Sequence, residues 1–96
     1  MTQSQINLDQ IYTKKSDLVW REVDEEVVIV SPDSGDVRAL NLIGSRIWVN
    51  LDGKQSLELI LKQLVNDFPS VSTDRLQQDL LQFIASLNER HMIKLV

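Results

Sequence analysis

The apolar pattern of this chain changes period once, at Asn41, and that change limits the folds open to it. Upstream, apolar residues alternate or run together in short segments, as strands do. Downstream, they recur at every third or fourth position, as helices do. The pivot is Ala39-Leu40-Asn41-Leu42-Ile43-Gly44-Ser45-Arg46-Ile47-Trp48. A strand-like stretch ends at Leu40. Asn41 can cap a helix with its side-chain oxygen. Ile43, Ile47 and Leu51 then fall on one helical face, which Trp48 widens into a core stripe. Gly44 lies inside this helix, where glycine costs about 1 kcal/mol against alanine, so close packing is its expected reason. Gly53 stops the helix.

Residues 18–23 read as the first strand, with Leu18 and Trp20 on one face and Val19, Arg21 and Val23 on the other. Asp24-Glu25 turns the chain without the favourable glycine. Residues 26–30 contain the run Val27-Val28-Ile29-Val30 and suit a central strand. Pro32-Asp33-Ser34-Gly35 is a turn signal, and residues 36–40 form the third strand. Short turns pair neighbours, so the strands make an antiparallel meander with the first and third at its edges. The first helix covers residues 42–51. Ser56 caps the second, which ends near Phe68-Pro69 and lines up Leu57, Ile60, Leu61, Leu64 and Phe68, with Leu59 opposite. Ser72 or Thr73 caps the third, whose buried arc is Leu76, Leu80, Phe83, Ile84 and Leu87, with Leu81 outside it. Residues 91–96 close the chain as a short extended piece.

The expected fold is α+β and winged-helix-like: a three-stranded antiparallel meander followed by three helices. With 96 residues it is one small domain. Residues 1–15 are polar with isolated Ile6, Leu8, Ile11 and Tyr12. They read as a flexible or loosely docked tail, or else as an arm over an exposed edge. The domain proper then spans residues 16–96.

Charge and composition narrow the function. Ten basic residues stand against 14 acidic ones, a net charge of −4, which gives no general attraction for nucleic acid. The polar face of the third helix, Arg75, Gln78, Gln82, Ser86 and Glu89, is poor in the cations that groove reading needs. No apolar run approaches the ~20 residues of a membrane span, and residues 1–7 lack a signal-peptide core. The expectation is a cytoplasmic protein with no nucleic-acid or membrane partner. There is no cysteine and one histidine, His91. No thiolate or paired-histidine metal site, and no serine with a base partner, can be assembled. Asp24-Glu25-Glu26 lacks the ligand alternation of a calcium loop and reads as a solvated turn. The sequence therefore implies no enzyme, no cofactor and no metal. What remains is binding. The third strand, Asp36-Val37-Arg38-Ala39-Leu40, has no proline and little charge, and an edge strand of this kind can accept an extended peptide as a further strand.

Several stretches together resemble the PqqD family, named for pyrroloquinoline quinone biosynthesis. They are Glu26-Val27-Val28-Ile29-Val30, Ser34-Gly35, Ala39-Leu40-Asn41, Gly44, Ile47-Trp48, Leu51-Asp52-Gly53 and Leu87-Asn88-Glu89-Arg90-His91-Met92-Ile93. No single motif is catalytic or strongly diagnostic; their order and spacing together make the match fairly specific. The resemblance implies a winged-helix peptide-recognition domain. It would hold the leader of a ribosomal precursor peptide between the third strand and the third helix. It would present that precursor to a modifying enzyme, such as a radical SAM protein or a peptidase. Carried onto this chain, the pairing edge is Asp36, Val37, Arg38, Ala39 and Leu40. The helix side of the cleft is expected at Gln77, Leu81 and Ile84, since Leu81 is apolar yet off the main seam. Two departures stand out. The family often has aromatic residues where this chain has Val37 and Arg38, and Arg38 is open to two readings: a partner for an acidic leader residue, or a water-facing side chain. The family also usually has glycine where this chain has His91, which weakens the case for a left-handed helix ending there. The alternatives are a DNA-binding or regulatory winged helix, which commonly places a helix in the major groove, and an interaction subunit of an unrelated enzyme complex.

Overall fold

In the computed structural model, which describes residues 6–96, the chain runs β1 (Ile11–Lys14), β2 (Val19–Val23), β3 (Glu26–Val30), β4 (Val37–Ala39), α1 (Leu42–Val49), β5 (Asp52–Ser56), α2 (Leu57–Asp67), α3 (Thr73–Glu89) and β6 (Ile93–Leu95). The strands form two antiparallel sheets of three, ordered β2–β3–β4 and β5–β1–β6. The first is the meander that the alternation dictates. Val27 and Ile29 of β3 point into the core, while Val28 and Val30 lie half-buried on the other face. The turn between β2 and β3 puts both Asp24 and Glu25 at positive φ, 52° and 72°. A two-residue hairpin loop demands that geometry, and without glycine it costs about 1 kcal/mol per residue.

The three helices begin where side chains can cap them. Asn41 accepts from the Gly44 N–H at 2.8 Å, Ser56 from Leu59 and Ser72 from Arg75. Gly44 is buried, and a Cβ there would sit 3.2 Å from the capping oxygen of Asn41 and 3.6 Å from the Phe83 ring. Close packing is therefore its reason. Leu57, Ile60 and Leu64 of α2 and Leu76, Leu80, Ile84 and Leu87 of α3 close on Ile47 and Trp48, forming one core with Val27 and Ile29.

The second sheet corrects the expectation of a flexible tail. Within residues 1–15, residues 1–5 lie outside the described part, but residues 6–15 are built into the domain. β1 is the central strand between β5 and β6. Tyr12 is only 3% exposed. Just before β1, the carbonyls of Leu8 and Gln10 accept from Glu58 and Leu57, two first-turn N–H groups of α2 that no helical carbonyl can reach. Lys14 donates to the Leu51 carbonyl at 2.9 Å, with its ammonium 5.3 Å from the Trp20 ring centre and 5.8 Å from that of Trp48. Burial pushes the Lys14 ammonium below its ordinary pKa, against an opposing pull from Asp52. The closing strand β6 lies within the short extended piece expected at residues 91–96, whereas β5 was hard to foresee because it is short and polar. Asp52-Gly53-Lys54-Gln55-Ser56 carries no alternation at all, and its pairing is decided by β1.

The end of α3 also differs from expectation. His91 does take the left-handed conformation, φ 58°. Its N–H donates to the Asn88 carbonyl and that of Met92 to the Leu87 carbonyl, the paired bonds of a Schellman ending. Burial of Met92 beside Leu87 supplies the apolar contact that accompanies this motif and offsets the missing glycine.

Candidate functional site

The site begins with the register of β4. Val28 stands opposite Ala39, Ile29 opposite Arg38 and Val30 opposite Val37. The Leu40 N–H donates to Val27, and the Ser31 N–H donates to Asp36. Hydrogen-bonded and non-hydrogen-bonded pairs alternate in an antiparallel ladder, so Asp36, Arg38 and Leu40 turn their backbone groups toward β3. Val37 and Ala39 turn theirs outward. Among the described residues β4 pairs with β3 alone, so these outward N–H and C=O groups face an open edge.

A buried serine fixes the end of that edge. Ser45 of α1 accepts from the Val27 N–H at 2.8 Å and donates to the Leu40 carbonyl at 3.3 Å. Its hydroxyl thus completes the ladder where β4 leaves the sheet, and it anchors α1 there. Sequence patterning gives no sign of this, because a serine inside a helix is ordinarily neutral or solvated.

β4 faces α3 across a cleft of about 500 Å³. Arg38 and Ala39 form one wall, Leu40, Ile43 and Ile47 the apolar floor, and Gln82, Phe83 and Ser86 part of the opposite wall. Arg75 and Asp79 of α3 also line it, joined by an ion pair at 3.3 Å. Arg38 lies over the Phe83 ring, 5.9 Å from its centre.

The five strand positions expected from the sequence therefore lie together on or beside this edge. Val37 is 67% exposed, Asp36 and Ala39 are exposed, Arg38 is half-buried and Leu40 is buried in the floor. The three helix positions are not brought to the cleft. Ile84 is fully buried in the core, Leu81 packs against the core, and Gln77 lines a separate depression with Leu8, Leu61 and Val65. The buried arc of α3 has two flanks. Periodicity finds the arc but does not say which flank meets β4, and Gln77 and Leu81 lie on the other one. The flank that does meet it, Arg75, Gln82 and Ser86, is the polar face that the sequence left bare.

Among the described residues, no group of His, Cys, Asp and Glu side chains is placed to hold a metal ion, and no helix is long and apolar enough to cross a membrane.

Fold and cleft together define a winged-helix-like domain with an open strand edge facing a helix. The sequence matches the family described as Coenzyme PQQ synthesis protein D (PqqD) over residues 26–93, and the chain belongs to that family. Two solved structures share the fold. One is TbiB1 in complex with the TbiA(beta) leader peptide, 26% identical with a TM-score of 0.75, covering 85% of this chain and 94% of that one. The other is a lasso peptide synthetase B1 complexed with the leader peptide, 19% identical with a TM-score of 0.74, covering 86% of this chain and 96% of that one. No curated protein sequence matches the chain.

Proposed function

We propose that this protein captures the leader of a ribosomal precursor peptide as an added strand on β4 and presents it to a modifying enzyme. The observation that carries this reading is the open edge at Val37 and Ala39, set beside the cleft under α3. Main-chain bonds to an edge give affinity, and pockets for alternate side chains give specificity. Membership of the PqqD family supports the reading, as does likeness to TbiB1, whose structure contains a leader peptide. The residues proposed to bind are Val37 and Ala39 through their backbone and Arg38, Leu40, Gln82 and Phe83 through their side chains, with Asp36 at the strand's start. The protein performs no chemistry itself. It acts by holding the precursor, which raises the effective concentration of substrate at the enzyme. Its place is the cytoplasm, where such precursors are synthesised.

The test is an amide-shift titration of the labelled protein with the leader encoded beside its gene. The expected shifts centre on Val37, Ala39 and the Gln82–Phe83 flank. Saturable binding with shifts on β2 or on the Gln77 flank instead would move the site. No binding, with or without the partner enzyme, would remove the function.

A further inference from the structure

We infer that the cleft selects a leader with one acidic side chain opposite Arg38 and an apolar side chain two residues away, opposite Leu40; the inference rests on the leader-capture reading above.

The guanidinium of Arg38 is half-buried and has no hydrogen bond or ion pair among the described residues. Its Nη1 is buried and without a partner. Buried polar groups are nearly always paired, and an orphaned charged donor is the exception that calls for a cause. Phe83 offers its ring face to the cation and no acceptor. Arg90 adds a second positive charge nearby. Burial, and then that charge, push the Arg38 pKa below the ordinary arginine value, though arginine stays protonated. Asp17, Asp33 and Asp36 line the neighbouring depression with Arg38 and Arg90, yet none forms an ion pair with either. Arg75, the other cation in the cleft, is already matched by Asp79. Arg38 is thus the wall's uncompensated charge.

Strand geometry says which leader residue would meet it. The outward bonds of Val37 and Ala39 flank Arg38, so in an antiparallel addition the leader residue opposite Arg38 occupies a non-hydrogen-bonded pair. Side chains approach closest there, and both point to the same face. That face is the cleft. A carboxylate there can accept a bidentate pair of guanidinium bonds in a half-buried site. The leader side chain two residues away, opposite Leu40, shares this face and meets the apolar floor of Ile43 and Ile47 with Phe83.

The experiment is a selection from a displayed library of random twelve-residue peptides against the full chain, its Arg38→Gln variant and its Arg38→Lys variant, each checked for folding by thermal melting. The wild-type chain should enrich peptides with Asp or Glu two positions from a large apolar residue. The Arg38→Gln chain should lose the acidic preference and keep the apolar one. The Arg38→Lys chain should keep both with weaker affinity. For the tightest peptide, Asp→Asn or Glu→Gln in the peptide and Arg38→Gln in the protein should each weaken binding at least about tenfold, and together little further. Binders without an acidic position, or an acidic preference that survives Arg38→Gln, would overturn the inference and leave leader capture standing. If no peptide is enriched, or if the binders shift amides away from β4, leader capture fails and this inference falls with it.

Discussion

The β2–β3–β4 sheet pairs strands that follow one another in the chain, whereas the β5–β1–β6 sheet seats Thr13 between Asp52 on one side and Lys94 on the other. Closing distant segments costs more loop entropy than closing a hairpin. The distant sheet recovers that cost through burial of Tyr12 and Ile93 and through the bonds that cap α2. Its work is to hold the segment around β1 and the strand β6 to α2 and α3. The local sheet closes through short turns, and it keeps one edge free in front of α3. The lesson is a division of labour: the long-range sheet stabilises, and the short-range sheet carries the edge proposed to bind.

That division can be broken most sharply at Tyr12. Truncating this ring should destabilise the protein by about 3–5 kcal/mol, read as a lower denaturation midpoint, as for other buried aromatic residues. Peptide affinity of the folded fraction should not change. A flexible tail would tolerate Tyr12→Ala without effect. Ser45→Ala should cost about 1–3 kcal/mol, because the Val27 N–H and Leu40 carbonyl are left buried without their bridge. Unlike Tyr12→Ala it should also disturb the amide shifts of β4, measured by NMR. Ala39→Pro reverses the pattern. Its N–H points away from β3, so melting should change little, while leader affinity measured by calorimetry should fall by about 1 kcal/mol for the lost edge bond.

Two smaller effects test the distant sheet further. The Asp52 carboxylate accepts from the Lys54 N–H at 2.9 Å, from the Gln55 side chain at 3.1 Å and from the Gln55 N–H at 3.0 Å. These bonds hold its pKa at about 2, below the ordinary 3.8. The folded pKa is depressed, so the stabilisation is complete above the unfolded value and fades as pH falls from about 4 toward 2. Denaturation midpoints across that range should drop in the wild type and drop less in Asp52→Asn. His91→Gly relieves the left-handed backbone before β6 and should raise stability by roughly 0.5–1 kcal/mol in a thermal melt, leaving peptide affinity unchanged.

Much of the local structure was legible in the chain. The change of period at Asn41, the caps at Asn41, Ser56 and Ser72, and the buried arcs of α2 and α3 all follow from interactions within a few residues. So does the meander, and with it an edge at residues 36–40. The identity of that strand as a binding candidate needed only its place in the order and its lack of proline or dense charge. The left-handed ending at His91 was harder, because the local penalty on a non-glycine residue is overruled by burial of Met92 and Leu87.

The amino-acid sequence by itself determined the elements that short-range physics controls: which residues cap, which face a helix buries, which strands pair with their neighbours. Tertiary structure alone decided the rest. It recruited Ile11–Lys14 from an apparently polar tail, because a strand with little alternation of its own can be fixed by partners on both sides. It chose which flank of α3 faces β4, putting Gln82 and Phe83 in the cleft in place of Gln77 and Leu81. It left Arg38 half-buried beside Phe83 with no anionic partner among the described residues. Each of these depends on the relative placement of elements far apart in the chain, and a periodic pattern carries rotation about its own axis but no record of what stands beside it.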